Sequence, residues 1–387
     1  MTTLWESVDP PESGPAVHAL VLGVGGYDWL YGGRNHMPRR QGDRLSRKLR
    51  QLTSPPASAR AFCSVLQDRL RKHSEYPLGS IEAVISEPLR PSATHPSGGQ
   101  ACLADVQEAF GAWYDRCDSH PGNIALFFFC GHGVQLGAHG DHALLLQDAG
   151  RDPHHYFQNA IDIRRTIQNM RANRASIQCY FIDACRDSHD LDLDYETLNA
   201  TPLGQSRVSD REPEQLVVHS TSAGAAAYGD PDRPTVFTQA VLQALFSPQP
   251  SNNDDDWHVT TTSVGPAING LMQWSGLSAG ASTEQQCLIT GQVRGGTLFR
   301  FTECPGVPFH FDTDPLDSLA AADWTLRDAR GSTTAYRAPA NEPWCDAGPP
   351  GPGEVQVEFA DGPYAATRQN VWLHPPCYGR TLKVDAQ

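Results

Sequence analysis

Two stretches of this chain share one pattern, and together they narrow the folds open to it. Asn123 to Cys130 reads Asn-Ile-Ala-Leu-Phe-Phe-Phe-Cys and runs into Gly131-His132-Gly133. Ser176 to Asp183 reads Ser-Ile-Gln-Cys-Tyr-Phe-Ile-Asp and runs into Ala184-Cys185-Arg186. Both are short apolar runs rich in aromatic and β-branched residues, the signature of a strand buried on both faces. Both turn polar at a residue with acid–base or nucleophilic chemistry. Open α/β sheets carry their sites at the carboxyl ends of parallel strands. A histidine and a cysteine at two such ends therefore point to one site.

The rest of the chain supplies such a sheet. Val17 to Val24 reads as a first buried strand, left through Gly25-Gly26. No Gly-x-x-x-x-Gly-Lys-Ser/Thr or Gly-x-Gly-x-x-Gly follows, which excludes a phosphate loop. Apolar spacing predicts helices over Ala57–Lys72, Ala101–Cys117, Ile161–Ala172, Phe237–Phe246 and Thr260–Trp274. Further strands are expected at Ile81–Ile85, Ala143–Gln147, Leu216–Ser220 and Gln286–Thr290. Helices alternating with apolar strands give an α/β fold, a mostly parallel sheet flanked by helices on both faces. Tyr31–Leu52 is expected to loop over the sheet, and Pro88–Gly99 to be an exposed loop. Beyond about Thr302 Pro and Gly become frequent and short strand-like runs appear (Trp324–Leu326, Glu354–Phe359, Asn370–His374). The expected division is an α/β domain over 1–300 and a small β-rich C-terminal module over 301–387.

Composition bounds the partners. The net charge of −14 argues against nucleic acid and anionic membrane surfaces. Met1–Ala16 is polar and contains prolines, unlike a signal peptide, and no apolar run approaches the roughly 20 residues of a membrane span. The ten cysteines form no Cys-x-x-Cys pair. This favours a reducing, cytoplasmic setting and argues against a structural zinc site. His139, His142, His154, His155, His189 and His219 follow no metal-ligand spacing, so no metal site is expected.

Attack by a cysteine on an acyl carbon requires a thiolate, and a nearby imidazole can take the thiol proton and return it to the leaving amine. That assigns Cys185 as nucleophile and His132 as base. The backbone N–H groups of Gly133 and Cys185 are the natural oxyanion donors. The glycines around His132 leave room for a substrate backbone.

Phe128-Phe129-Cys130-Gly131-His132-Gly133 and Phe181-Ile182-Asp183-Ala184-Cys185-Arg186 resemble the two signatures of the caspase-like cysteine peptidases. The histidine lies 53 residues before the cysteine, close to the spacing of about 50 in caspases. Ser220-Thr221-Ser222-Ala223-Gly224, Tyr228 and Val236-Phe237-Thr238 are similar to the bacterial and metacaspase-type branch. The likeness runs from about Val17 to Thr290. It implies a caspase-hemoglobinase fold, peptide-bond hydrolysis by the His132/Cys185 dyad and a role in bacterial signalling or defence.

Asp183 stands where animal caspases carry Gln. In metacaspase-like enzymes that aspartate lines the pocket for the residue before the cut, which implies cleavage after Arg or Lys. Ser220 and Ser222 are the accompanying substrate-binding candidates. The second pocket aspartate of metacaspases has no counterpart, since Pro56-Ala57-Ser58-Ala59-Arg60 holds no acid. Arg186–Gln215 is too long and polar for a quiet connection. Its Asp187–Asp194 stretch is a candidate calcium site by the same resemblance. Its Arg186, Arg207 and Arg211 are candidates for self-cleavage. The C-terminal module would recruit a regulatory protein or inhibit. The alternative class is a non-catalytic caspase-fold scaffold, which has no use for an intact dyad.

Overall fold

The structure, a computed structural model, describes residues 3–6, 14–36, 49–71, 75–88, 100–136, 142–186, 198–207, 209–221, 231–250, 256–278, 285–303, 306–337, 342–359 and 363–386. The chain forms two compact units, Met1–Leu242 with Gln285–Leu298, and Gln243–Glu284 with Phe299–Gln387. The segment 243–284, which reads as part of the first domain, groups with the second instead. Phe246 stacks on Phe299 with ring centroids 5.6 Å apart.

In the first unit the apolar runs become strands β1 (Thr3–Glu6), β2 (Val17–Val24), β3 (Leu78–Ser86), β4 (Ile124–Cys130), β5 (Gly133–Gln135), β6 (His142–Leu145), β7 (Ala160–Asp162), β8 (Ile177–Asp183), β9 (Glu214–His219) and β10 (Leu288–Gln292). The helices are α1 (Ser54–Leu70), α2 (Leu103–Asp118), α3 (Ile163–Asn169) and α4 (Val236–Ala244). Seven strands build one sheet in the order β1-β3-β2-β4-β8-β9-β10. The four inner pairings are parallel, and β1 and β10 close the edges antiparallel. This is the expected mostly parallel sheet.

Alternation along β4 shows why both faces must be covered. Phe127 and Phe129 join a core with Val106, Phe110 and Trp113 of α2. Phe128, between them, stacks on Phe62 of α1 at 4.4 Å. The side-chain period of two sends neighbouring phenylalanines to opposite faces. Trp113 donates from its indole nitrogen to the His18 carbonyl at 3.0 Å, pinning α2 to β2. Helix α1 opens with Pro55-Pro56 in its first turn, where the missing N–H groups would lack partners anyway.

The expected helix over Ile161–Ala172 is shorter. Residues 160–162 pair as β7, α3 covers 163–169, and a 3₁₀ turn follows at Met170–Ala172. Asp162 ends the strand and caps the helix by accepting from the Arg165 N–H at 2.9 Å.

In the second unit, helix α5 (Thr261–Ser278) runs through Pro266. Strands Val307–Asp314, Trp344–Gly348 and Tyr378–Lys383 form one sheet, and Thr333–Arg337, Ala322–Arg327, Gly351–Phe359 and Thr367–Leu373 another. Both sheets contribute to a core around Phe309, Phe311, Trp324 and Trp344. The β-rich character expected of the C-terminal region is present.

Phe128 is fully buried and stacked. Phe128→Ala is expected to lower unfolding free energy by about 3–5 kcal/mol, read from denaturant midpoints. A loss under about 1 kcal/mol would show that α1 does not close this face as described.

Candidate active site

Strands β4 and β8 pair in parallel with Cys130 opposite Asp183. The ladder continues one residue further, where the Gly131 N–H donates to the Asp183 carbonyl at 3.1 Å. His132 and Cys185 are therefore each two residues beyond a matched pair, at adjacent strand ends on the carboxyl edge of the sheet. A Cβ at Gly133 would lie 2.6 Å from the Cys185 carbonyl oxygen and 2.9 Å from the Ala184 Cβ. Only glycine allows the two strand ends to approach this closely. Cys185 is partly buried and is in no disulfide.

Neighbouring β2 supplies groups that sequence reasoning missed. Its exit turn carries Tyr27, which is 1% exposed. The His132 N–H donates to the Tyr27 hydroxyl at 2.8 Å, and the two rings lie 4.9 Å apart. Gln51 clamps Tyr27, accepting from its N–H at 2.7 Å and donating to its carbonyl at 2.9 Å. The His132 Nε2 bonds the Arg50 carbonyl oxygen at 2.7 Å. A carbonyl only accepts, so Nε2 carries the proton and Nδ1 keeps its lone pair. Burial lowers the His132 pKa to about 4, so the ring is neutral near pH 7. The available signal was topological: the β2 end lies on the same edge as the β4 end.

Asp183 is not an open pocket floor. It is 3% exposed, and its Oδ2 accepts from the hydroxyls of Thr235 and Thr238, the latter at 3.1 Å, and from the Cys130 thiol at 3.5 Å. Thr235 in turn accepts from the Thr238 N–H at 3.0 Å, capping the start of α4. Burial pushes the Asp183 pKa up, with the threonine hydroxyls opposing. In this arrangement the carboxylate ties β8 to α4.

Ser220, expected to bind substrate, lies just past the end of β9. It is fully buried, donating its N–H to the Ile182 carbonyl at 2.9 Å and accepting from the Gln285 amide at its own carbonyl at 2.9 Å. Ser222 and the Asp187–Asp194 stretch lie outside the described residues. Arg186 is 6% exposed and bonded to Gln135, so it is withheld from a peptidase. Arg207 and Arg211 are exposed. Among the described residues no group of three His, Cys, Asp or Glu is placed to hold a metal ion. Among them also, no helix is long and apolar enough to cross a membrane.

A Cys–His contact lies in the second unit. The Cys345 sulfur is 3.4 Å from His310 Nδ1, and His310 Nε2 is 3.5 Å from Asp312 Oδ2. It joins residues opposite each other on neighbouring strands, a register the sequence does not display.

A cysteine and a histidine at adjacent carboxyl ends of a parallel sheet are the two groups that attack by a thiolate requires. Residues 99–264 match the caspase domain family. An uncharacterized protein, y4kE, of Sinorhizobium fredii is 28% identical over 220 residues, 56% of this chain. The chain spans 57% of that relative's length. Among solved structures, caspase-1 of Spodoptera frugiperda matches with a TM-score of 0.39 and 12% identity, over 77% of this chain and 97% of its own. A structural-genomics protein of Geobacter sulfurreducens matches with a TM-score of 0.42 and 13% identity, over 72% of this chain and 94% of its own.

Burial pulls the His310 pKa down, but the Asp312 carboxylate and the Cys345 thiol outweigh it and raise it to about 9. The imidazolium should thus persist above its ordinary range and deprotonate near pH 9. Asp312→Asn is expected to bring the His310 midpoint down, read by NMR titration of the ring. An unchanged midpoint would remove the carboxylate from the account.

Proposed function

We propose that this chain is a cysteine endopeptidase in which Cys185 attacks the scissile carbonyl and His132 transfers the proton. The observation that carries this reading is the Arg50 carbonyl at His132 Nε2, which leaves Nδ1 as the basic nitrogen. The thiol proton moves to Nδ1 as sulfur attacks, and the leaving amine takes it as the carbon–nitrogen bond breaks. The main-chain N–H groups of Gly133 and Cys185 receive the developing oxyanion. Water then releases the acyl group from sulfur. The match of residues 99–264 to the caspase domain family supports protein substrates. A cytoplasmic setting and a signalling or defence role rest on the resemblance and on composition. So does recruitment of a regulatory protein by the C-terminal module.

The finer preference for Arg or Lys before the cut draws on Asp183, and requires the Thr235–Thr238 turn to release its carboxylate. The burial of Asp183 favours a second reading. Arg50 is exposed and stands beside His132 through its own carbonyl, so its guanidinium can receive an acidic side chain. Self-processing in the 186–215 linker has two exposed candidates, Arg207 and Arg211.

A peptide library varied at the residue before the cut tests these readings. Cleavage is expected to vanish in Cys185→Ala and to fall by about 10²–10⁴-fold in His132→Ala. Cleavage after Arg or Lys that Asp183→Asn removes supports the basic pocket. Cleavage after Asp or Glu that Arg50→Gln weakens supports the second reading, because that variant keeps the main-chain carbonyl. A Cys185→Ala chain that retains the full biological effect would identify a scaffold. For the linker, intact mass should show a cut after Arg207 or Arg211, and one uncut chain in an active preparation excludes it.

The lowered His132 pKa fixes the acid side of the pH profile. Neutral imidazole is the working base, and burial keeps it neutral down to about 4. Acid loss of kcat/KM is therefore expected below about pH 5, not at the 6.5 of a free histidine. An acid limb centred at 6.5 would show that burial does not act on this ring.

A further inference from the structure

A pocket of about 410 Å³ opens in the first unit, bounded by Arg164, Arg171 and Arg186 and by His142 and His219. Neither His132 nor Cys185 lines it, and among the described residues no Asp or Glu does.

Arg186 is the first anomaly. Its Nε donates to the Gln135 side-chain oxygen at 2.6 Å, and Nη1 to the Thr221 carbonyl at 3.4 Å. Both partners are neutral, and among the described residues no carboxylate pairs with this buried guanidinium. Buried charges in folded proteins are ordinarily matched by a counter-charge.

The two histidines are the second. His142 and His219 are 5% and 8% exposed, with rings 5.4 Å apart. Among the described residues His142 Nε2 and His219 Nδ1 are buried without a hydrogen-bond partner. Buried polar atoms almost always have one. Burial foremost, with the Arg186 charge adding to it, holds the His219 pKa down to about 3. Burial likewise holds His142 well below its ordinary value. Each neutral ring has one N–H to donate.

Ile163, Ile167 and Val217 add apolar surface to the same lining. Arg164 and Arg171 are exposed, at the mouth.

We propose that this pocket is a binding site for a small organic anion, its oxyanion head held by Arg186, His142 and His219 and its apolar body laid against Ile163, Ile167 and Val217. The anion supplies a counter-charge that no described carboxylate gives Arg186, and it accepts from the two ring nitrogens that have no partner among the described residues. A pocket of this volume suits a molecule of drug or metabolite size. The site belongs to the fold and stands whether or not the chain cleaves peptides.

Calorimetric titration of the full chain with phenyl phosphate, benzoate, inorganic phosphate and phenol in low-salt buffer tests it. Phenyl phosphate or benzoate is expected to bind saturably, one per chain, and whichever binds tighter identifies the head group. Inorganic phosphate should bind at least tenfold more weakly, and phenol not at all. Arg186→Gln is expected to weaken binding at least tenfold. The double variant Arg164→Glu/Arg171→Glu, at exposed positions, should do the same and serves if Arg186→Gln fails to fold. Absence of saturable binding by both organic anions, phenol binding as tightly as phenyl phosphate, or variants that bind like the parent chain would each overturn the proposal.

Discussion

The in-register parallel pairing of β4 with β8 is the constraint on which the site depends. Cys130 stands opposite Asp183, and the ladder runs on through Gly131, so the next residues of both strands leave the sheet together. A one-residue slip would exchange the faces of either strand. It would send Phe128 toward the α2 side and Phe127 and Phe129 toward α1. The fully buried aromatics of β4 therefore hold the register, and the register sets which residues emerge side by side at the edge.

The groups around the edge are tied to it by polar contacts that the dry interior strengthens. Asp183 does more than end a strand. It binds the hydroxyl of the residue that caps α4, so a strand end and a helix start share one buried carboxylate. A carboxylate near a helix N-terminus is also favoured by the helix dipole. The same burial that makes Asp183 a good anchor keeps it from solvent.

Much of the fold is legible in the sequence. The apolar runs ending at Cys130 and Asp183 become β4 and β8 with boundaries close to those expected, because strands buried on both faces have no polar residues to blur them. The short strands β5 and β7 are not legible, since three-residue elements form only when a partner strand is already in place. The His132 and Cys185 positions are visible as polar breaks. Tyr27, Arg50 and Gln51 are not, because they lie far upstream of His132 and meet it only through the order of strands. Ser220, a serine in a familiar motif, is buried just past the end of β9, a depth that the motif does not display.

The contact between His132 and residue 50 is made by a peptide carbonyl, which every amino acid possesses. Selection acting on that contact leaves no mark on the identity of the side chain. Relatives could carry any residue there and keep the same tautomer, provided that the backbone between Tyr27 and α1 follows the same path. Alanine scanning would pass over the position, and so would a search for invariant columns in an alignment. The variation that matters is in the length and course of the segment, so insertions and deletions between β2 and α1, rather than substitutions, are where this histidine's chemistry can be lost.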